Sequence, residues 1–428
     1  MSGSERLRGL LRRIPASVRR DYAATLAVQW GTLAGGLFLF HLVAGRGGVD
    51  GFAYYQIARG VVSSCQPVVM LGLGQGLHRY LPRTHQRTET LARQAFLTQA
   101  GTALAIGLAG TAVAASLADL LGLDGGRPEV VAILILLAGN CLCTLTTAAL
   151  RGTHQVTRSN IVAGIGLGAV PLLAFPFAAR IDDFLILQGL GMGSVAVIGI
   201  LTVRRRSPAP RIPGPEPTLR LLMGYGVRRL PGDLALPALF TLPTFAVATA
   251  RPGAPEAGYV GFATSAVTLI CSLFGTLTPV LLPRLSGLFH SPGDDASTHR
   301  MLTLLPVVAA ALATGAAAVF GLFAPALVHG FLGPEFTAAI GVLRVGVLAA
   351  IPLAMFYAAR PTLDALTDTP VISRLLCVCL VLQVVLTYAA MAVLPAPYAA
   401  VAAMCGAATV LGWRAERLVV RALRPADD

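Results

Sequence analysis

Apolar positions in this chain do not recur singly. They fall into blocks, and arginine, proline and glycine cluster in the short segments between them. The blocks run for roughly 18 to 28 residues, enough for a helix rising 1.5 Å per residue to cross a hydrocarbon core ~30 Å thick. Twelve spans are predicted, the first six at 22–44, 51–77, 94–118, 130–150, 160–179 and 184–203. The second six are at 231–250, 258–282, 302–328, 337–358, 371–394 and 397–413. Each is expected to be helical, because lipid offers no partner to an unpaired backbone N–H or C=O. The period-two alternation of a membrane barrel is not seen. The expected fold class is therefore an all-α polytopic membrane protein.

Composition agrees. Of 428 residues, 55% are apolar and 12% charged, and mean hydropathy is +0.72. Soluble domains carry about 25% charged residues, so this surface could not be kept in water. Charge then sets orientation. All 33 basic residues are arginine, a usage expected of a GC-rich and bacterial genome. With twelve spans both termini share a side, and 27 arginines fall on that side against four opposite: Arg46, Arg127, Arg180 and Arg251. Basic residues accumulate in cytoplasmic loops, so both termini are placed in the cytoplasm and the protein in the cytoplasmic membrane. The net charge of +13 is thus a topogenic signal with attraction to anionic lipid heads, and implies no nucleic-acid partner. Residues 1–21 place Leu7, Leu10, Leu11, Ile14 and Val18 at helical spacing among arginines, the pattern of an amphipathic segment lying on the membrane.

The stretch "VVMLGLGQGLHRYLPR", 68–83, tests a rival class. Its spaced glycines suggest a dinucleotide loop, which requires a preceding strand, a following helix and an acid about 20 residues on. Here they follow some twenty apolar residues (roughly one membrane span), and the acid is missing. Gly72, Gly74 and Gly76 are read instead as close packing positions at the end of a span.

The polar connection "RRRSPAPRIPGPEPTLR" at 204–220 divides the spans six and six. Two lobes with the same orientation are expected, at 22–203 and 231–413, with a linker and lead-in at 204–230 and a cytoplasmic tail at 414–428. Internal similarity supports the division. "AYYQIARGVV" at 53–62 aligns with "GYVGFATSAV" at 258–267, and "YLPR" after the second span with "LLPR" after the eighth.

The glycine-aromatic start and arginine-tyrosine-proline exit of "GFAYYQIARGVVSSCQPVVMLGLGQGLHRYLP" resemble the polysaccharide flippase branch of the multidrug/oligosaccharidyl-lipid/polysaccharide exporter superfamily. "LLMGYGVRRLPGDLALPAL" and "FLGPEFTAAIGVLRVGVLA" are similar to that family's entries to spans 7 and 10. The acid that commonly ends span 7 in the family is missing from "PTFAVATARPG". The resemblance implies two six-helix lobes working by alternating access. It implies a polyprenyl-(pyro)phosphate-linked glycan as substrate, with membrane lipids and other glycan-assembly proteins as partners.

The residues support an anionic substrate independently. Arg59 and Arg344 lie within predicted spans, where an unpaired cation costs several kcal/mol unless hydrated or paired. Each fits two placements: lining a cavity, where a forked guanidinium grips a phosphate, or snorkelling to the outer headgroups. Gln56 and Gln75 join a cavity wall or bond between helices. Asp233, the nearest acid, is either a cavity group or an interfacial partner of Arg228 or Arg229. A cation-coupled drug exporter would favour intramembrane carboxylates, and a membrane glycan enzyme a large outer loop; neither is evident. The chain is therefore expected to be a transporter and not an enzyme, although a transport-inactive scaffold would share these features. No cofactor is implied, and coupling to a proton or sodium gradient is left open. The seven cysteines fall within spans, and the two C-x-C pairs point to different helix faces with no histidine beside them, so no metal site is expected. Pro67, Pro237, Pro243, Pro279 and Pro352 interrupt spans and are hinge candidates.

Overall fold

The computed structural model describes residues 16–83, 88–203, 217–275, 296–366 and 371–422. Pro279, the amphipathic segment up to residue 15 and most of the 204–220 connection lie outside the described residues. Among those described, helices are joined by short turns and no strand occurs. Eleven helices are long and apolar enough to cross a membrane, and the first contains two. Its continuous run Ala16–Val69 is broken at Gly48, whose φ of 60° and ψ of −157° are not helical. An unbroken helix over Ala23–Val69 would reach ~70 Å, more than twice the hydrocarbon thickness. Split at Gly48 it gives α1 (16–47) and α2 (49–69), each long enough to cross alone.

The other spanning helices are α4 (Thr88–Ala112), α6 (Arg127–Gly152), α7 (Val156–Phe177), α8 (Ile181–Leu201) and α9 (Leu219–Ala250). They continue with α10 (Glu256–Gly275), α11 (Ala296–Leu322), α13 (Ala339–Asp364), α14 (Val371–Met391) and α15 (Ala396–Ala422). Short helices α3 (Leu73–Tyr80), α5 (Ala114–Leu121) and α12 (Ala324–Phe331) lie at span ends. The faces left uncovered are hydrocarbon: Leu97, Leu104 and Leu108 on α4, and Val378, Val381 and Val385 on α14, are each exposed. Continuous apolar stripes of this kind belong against lipid, and the protein is a multi-pass membrane protein.

Packing groups the chain into two units. The first comprises Met1–Leu39, Val69–Ala112 and Val131–Val227, the second Phe40–Val68, Val113–Val130 and Arg228–Asp428. This grouping follows different boundaries from the 22–203 and 231–413 repeat.

In the first unit the backbones of α6 and α8 meet at two glycines. A Cβ on Gly139 would run into the backbone of Gly189, and one on Gly189 into that of Ile135 and Leu136. Thr146 donates to Ala196 O across the same contact (3.3 Å). The amide of Gln99 on α4 donates to Val69 O (3.1 Å) and is fully buried. One core cluster of the second unit is built largely from small residues. Phe356, Leu353 and Ala354 of α13 pack with Met404, Ala408 and Leu411 of α15. Gly412 brings α15 against the backbone carbonyl of Pro352, and Gln383 of α14 donates to Leu239 O of α9 (3.0 Å).

Several boundaries differ from the sequence-based expectation. The second span ends at Val69, before 77, because Leu71 and Gly72 take positive φ (47° and 66°) and turn the chain into α3. Residues 219–230, expected as lead-in, are already helical and continue into α9. Leu222 is fully buried and Tyr225 stacks edge-on against Tyr80 (5.6 Å between centroids), so this first turn has a surface to pack on. The last helix passes residue 413 to Ala422, because Leu411, Ala415 and Val419 stay buried at helical spacing while Arg417 lies over Trp413 (3.9 Å). A feature the sequence did not predict is the π-helical turn Gly164–Ala169 in α7. It ends two residues before Pro171, which has no N–H to continue an α-helical ladder.

Gly48 fixes a test of topology. With the native cysteines replaced, single cysteines at 47 and 334 are expected to react with an impermeant maleimide from outside. Cysteines at 85 and 367 should react only after permeabilisation. Labelling of 47 and 85 from the same side would remove the reading of Gly48 as the turn between two crossings.

Candidate functional site

Arg59 sits on α2 eleven residues after Gly48, which at 1.5 Å per residue is ~16 Å along the helix, about half the hydrocarbon thickness. It is exposed, and everything it touches is in the second unit. Its Nη1 donates to Gln56 Oε1 (3.0 Å) and to Ser265 Oγ (3.3 Å). The guanidinium lies 4.6 Å from the Phe40 ring centroid and 5.8 Å from that of Tyr55, a cation–π arrangement that holds the charge without neutralising it. No carboxylate pairs with it among the described residues, and its remaining donors carry no partner there. Beside it Gln56 is buried, and its Nε2 has no hydrogen-bond partner. A buried amide donor left unpaired is costly, so it marks a place where an acceptor is wanted.

Small residues make this arrangement possible. A Cβ on Gly261 would collide with the Gln56 side chain, and one on Gly258 would press on Ala53. Residues 53 and 258 are equivalent in the internal repeat, as are 56 and 261. Equivalent positions thus face each other, as two copies of one segment do at a twofold axis. Ser265 corresponds to Gly60, one residue past Arg59, and donates to Gly261 O (2.7 Å), which leaves its oxygen free to accept from Arg59. An aromatic cluster of Phe40, Phe52, Tyr55, Phe262 and Phe336, with ring centroids 5.5–6.5 Å apart, packs beside this contact. Tyr54 OH donates to Glu129 O (3.1 Å), tying α2 to the start of α6.

The other predicted residues are not gathered here. Arg344 is exposed on α13, and its Nε donates to Gly321 O (3.1 Å) at the last turn of α11. A cation there satisfies a helix-end carbonyl and the negative end of the helix dipole. Gln75 is exposed on α3, beyond the turn that ends α2, and so does not belong to the Arg59 helix. Asp233 is half-buried on α9, where the charges of Arg229 and Arg360 act on it. Arg360 also pairs with Asp364 one turn along α13 (3.6 Å). Asp233 and Asp364 thus lie within range of the same two arginines in the second unit, Arg229 and Arg360, and Arg360 was not singled out from the sequence. The spacing of Arg360 and Asp364, four residues apart, was a legible signal for it.

Pro237 and Pro243 lie inside α9, together with Pro231, and Pro67 lies near the end of α2. Pro352 follows a tightened 3₁₀ turn at Val347–Ala349, as expected when a proline removes the N–H that would bond to Leu348 O. Among the described residues no cluster of three histidine, cysteine or acidic groups is placed to hold a metal ion.

These helices, their number and their order define an all-helical, multi-pass architecture, and solved structures share it. The chain is similar to a multidrug resistance MATE family transporter of the MOP superfamily in its inward-facing conformation, at 14% identity and a TM-score of 0.73, covering 95% of this chain and 100% of that one. It is also similar to the MATE multidrug transporter DinF-BH in complex with R6G (13%, TM-score 0.64, 96% of this chain and 96% of that one). A third is a MOP superfamily transporter from Pyrococcus furiosus, described as having a binding pocket of reverse polarity that suggests a different function (16%, TM-score 0.58, 95% of each). The fold is therefore MATE-like along nearly the whole chain. No protein-family model matches it, and no curated protein sequence does.

Proposed function

We propose that this protein is a transporter that moves a lipid-linked, anionic oligosaccharide across the cytoplasmic membrane by alternating access. The observation that carries this reading is the unneutralised Arg59 within the span-length helix α2, with an unpaired Gln56 amide donor beside it. Together they offer N–H donors and positive charge to a group that brings oxygens and negative charge, as a pyrophosphate does. Such a headgroup would be paired and desolvated at the place where a lone cation is otherwise costly. The polyprenyl tail and the glycan come from the flippase resemblance of the sequence motifs.

Cation-coupled multidrug export is the second reading, favoured by the MATE structures the fold is similar to. It asks for carboxylates free to bind a cation, whereas Asp364 pairs with Arg360 (3.6 Å) and Asp233 lies near Arg229 and Arg360. The two readings separate in proteoliposomes. Purified protein is expected to move a fluorescent polyprenyl-pyrophosphate oligosaccharide between leaflets, and a pyrophosphate-bearing competitor to inhibit it. A cationic dye should neither be transported nor compete. Gradient-driven dye transport without glycolipid movement would overturn the proposal in favour of drug export.

A further inference from the structure

A cleft of about 380 Å³ lies between α7 and α8, wholly within the first unit. That is in the size range of sites that enclose a small organic ligand. Its walls are Ile161 and Ile165 of α7 and Val195 and Ile198 of α8, with Gly199 in its lining and Arg158 and Thr202 at one end. Nothing in the described chain covers these walls, for Ile161 is 54% and Ile198 66% exposed. Gly199 keeps the two helices close, since a Cβ there would press on Thr146 and Val162. Ile165 lies in the π-helical turn Gly164–Ala169, which alters the angular spacing of side chains along α7.

The polar end is at the start of α7 and just beyond the end of α8, the side that the arginine distribution assigns to the cytoplasm. From Arg158 to Ile165 the cleft runs ~10 Å along the helix into the apolar span. Arg158 is half-buried, and its Nη1 donates to Gln155 Oε1 (2.8 Å) and Thr202 O (2.7 Å). Those two neutral acceptors fix the guanidinium over the mouth. Among the described residues it meets no carboxylate, and its Nη2 and Nε make no hydrogen bond. A positioned, unneutralised fork stands at one end and an uncovered hydrocarbon slot runs inward from it. An amphiphile with an anionic head complements both.

We infer that this cleft binds one acyl chain of an anionic phospholipid whose phosphate is held by Arg158. A choline headgroup fits less well, because its own cation would sit beside a guanidinium that no acid offsets. The assignment does not draw on Arg59, which belongs with its partners to the other unit.

The test uses full-length protein in phosphatidylcholine vesicles, doped with phosphatidylglycerol or phosphatidylcholine that carries a mid-chain diazirine. After photolysis, label from the phosphatidylglycerol probe is expected on peptides containing 161–165 and 195–198. It should exceed the phosphatidylcholine probe by about tenfold, the effect of one charge-assisted contact. Arg158→Gln should lower it to the phosphatidylcholine level, and Arg158→Lys should retain much of it. Ile198→Trp, which fills the slot and leaves the arginine, should remove label from both peptides. Each variant is compared at equal monodisperse yield. Equal labelling of native protein by the two probes, survival of the preference in Arg158→Gln, or label distributed evenly over other spans would each overturn the assignment.

Discussion

Arg59→Glu is expected to abolish glycan export while membrane-inserted protein stays near the native amount. The side chain is exposed and its bonds to Gln56 and Ser265 are few, so folding depends on it little. On the proposed function, reversing its charge places an anion where an anionic headgroup would pass. Arg59→Ala should lower export by about tenfold to a hundredfold, the worth of a charged hydrogen bond of ~1.5–3 kcal/mol. Arg59→Lys should restore only part, because a point charge cannot reproduce the forked donors that span two oxygens. Gln56→Leu removes both the unpaired Nε2 and the acceptor that orients Arg59, and should resemble alanine at 59. The measurement is export in cells lacking the native gene, normalised to inserted protein. Full export by the glutamate variant would take Arg59 out of the mechanism and leave its aromatic contacts as a purely structural feature.

The spans were legible because block hydrophobicity at membrane length has one physical solution, a helix with its backbone bonds satisfied internally. Arg59 was legible because a cation in such a block is conspicuous. Its place along α2 was not, since the start of α2 depends on the backbone of Gly48, and one glycine in "GRGGV" looks like the next. Phe40 and Ser265 were missed for a different reason. An ordinary aromatic and an ordinary serine become site residues only when α1, α2 and α10 meet. The repeat contained the clue, for it aligns Gly60 with Ser265 and Gln56 with Gly261, but it does not say that equivalent positions touch. Arg344 shows the converse. Its position in a span was plain, yet its partner is a carbonyl of α11 that no side-chain pattern announces.

The glycines of "GLGQG" were read as packing positions, and the structure ranks them. Gly72→Ala is expected to be the most damaging of the three. Its φ of 66° lies in the left-handed region, where a non-glycine residue costs ~1–2 kcal/mol. Its Cβ would also meet the backbone of Gly226, and overpacking of that kind costs about 1–3 kcal/mol more when neither backbone can yield. Gly76→Ala comes second. It is buried within α3, and its Cβ would lie 2.9 Å from Leu222 O and 3.0 Å from Leu222 Cβ. Replacing a helical glycine gives back ~0.5–1 kcal/mol, which offsets part of that clash. Gly74→Ala should be neutral or stabilising, because the first atom met is the mobile Met70 Cε at 3.0 Å and the helix-propensity gain is the same. Thermal unfolding of the three purified variants in detergent, followed by loss of the monodisperse peak, should therefore order them Gly74→Ala above Gly76→Ala above Gly72→Ala. A phosphate-binding loop would behave differently: all three substitutions would leave unfolding nearly unchanged and affect ligand binding instead. The opposite order, with Gly74 the most sensitive, would remove the close approach of α3 to the start of α9 as the reason these glycines are there.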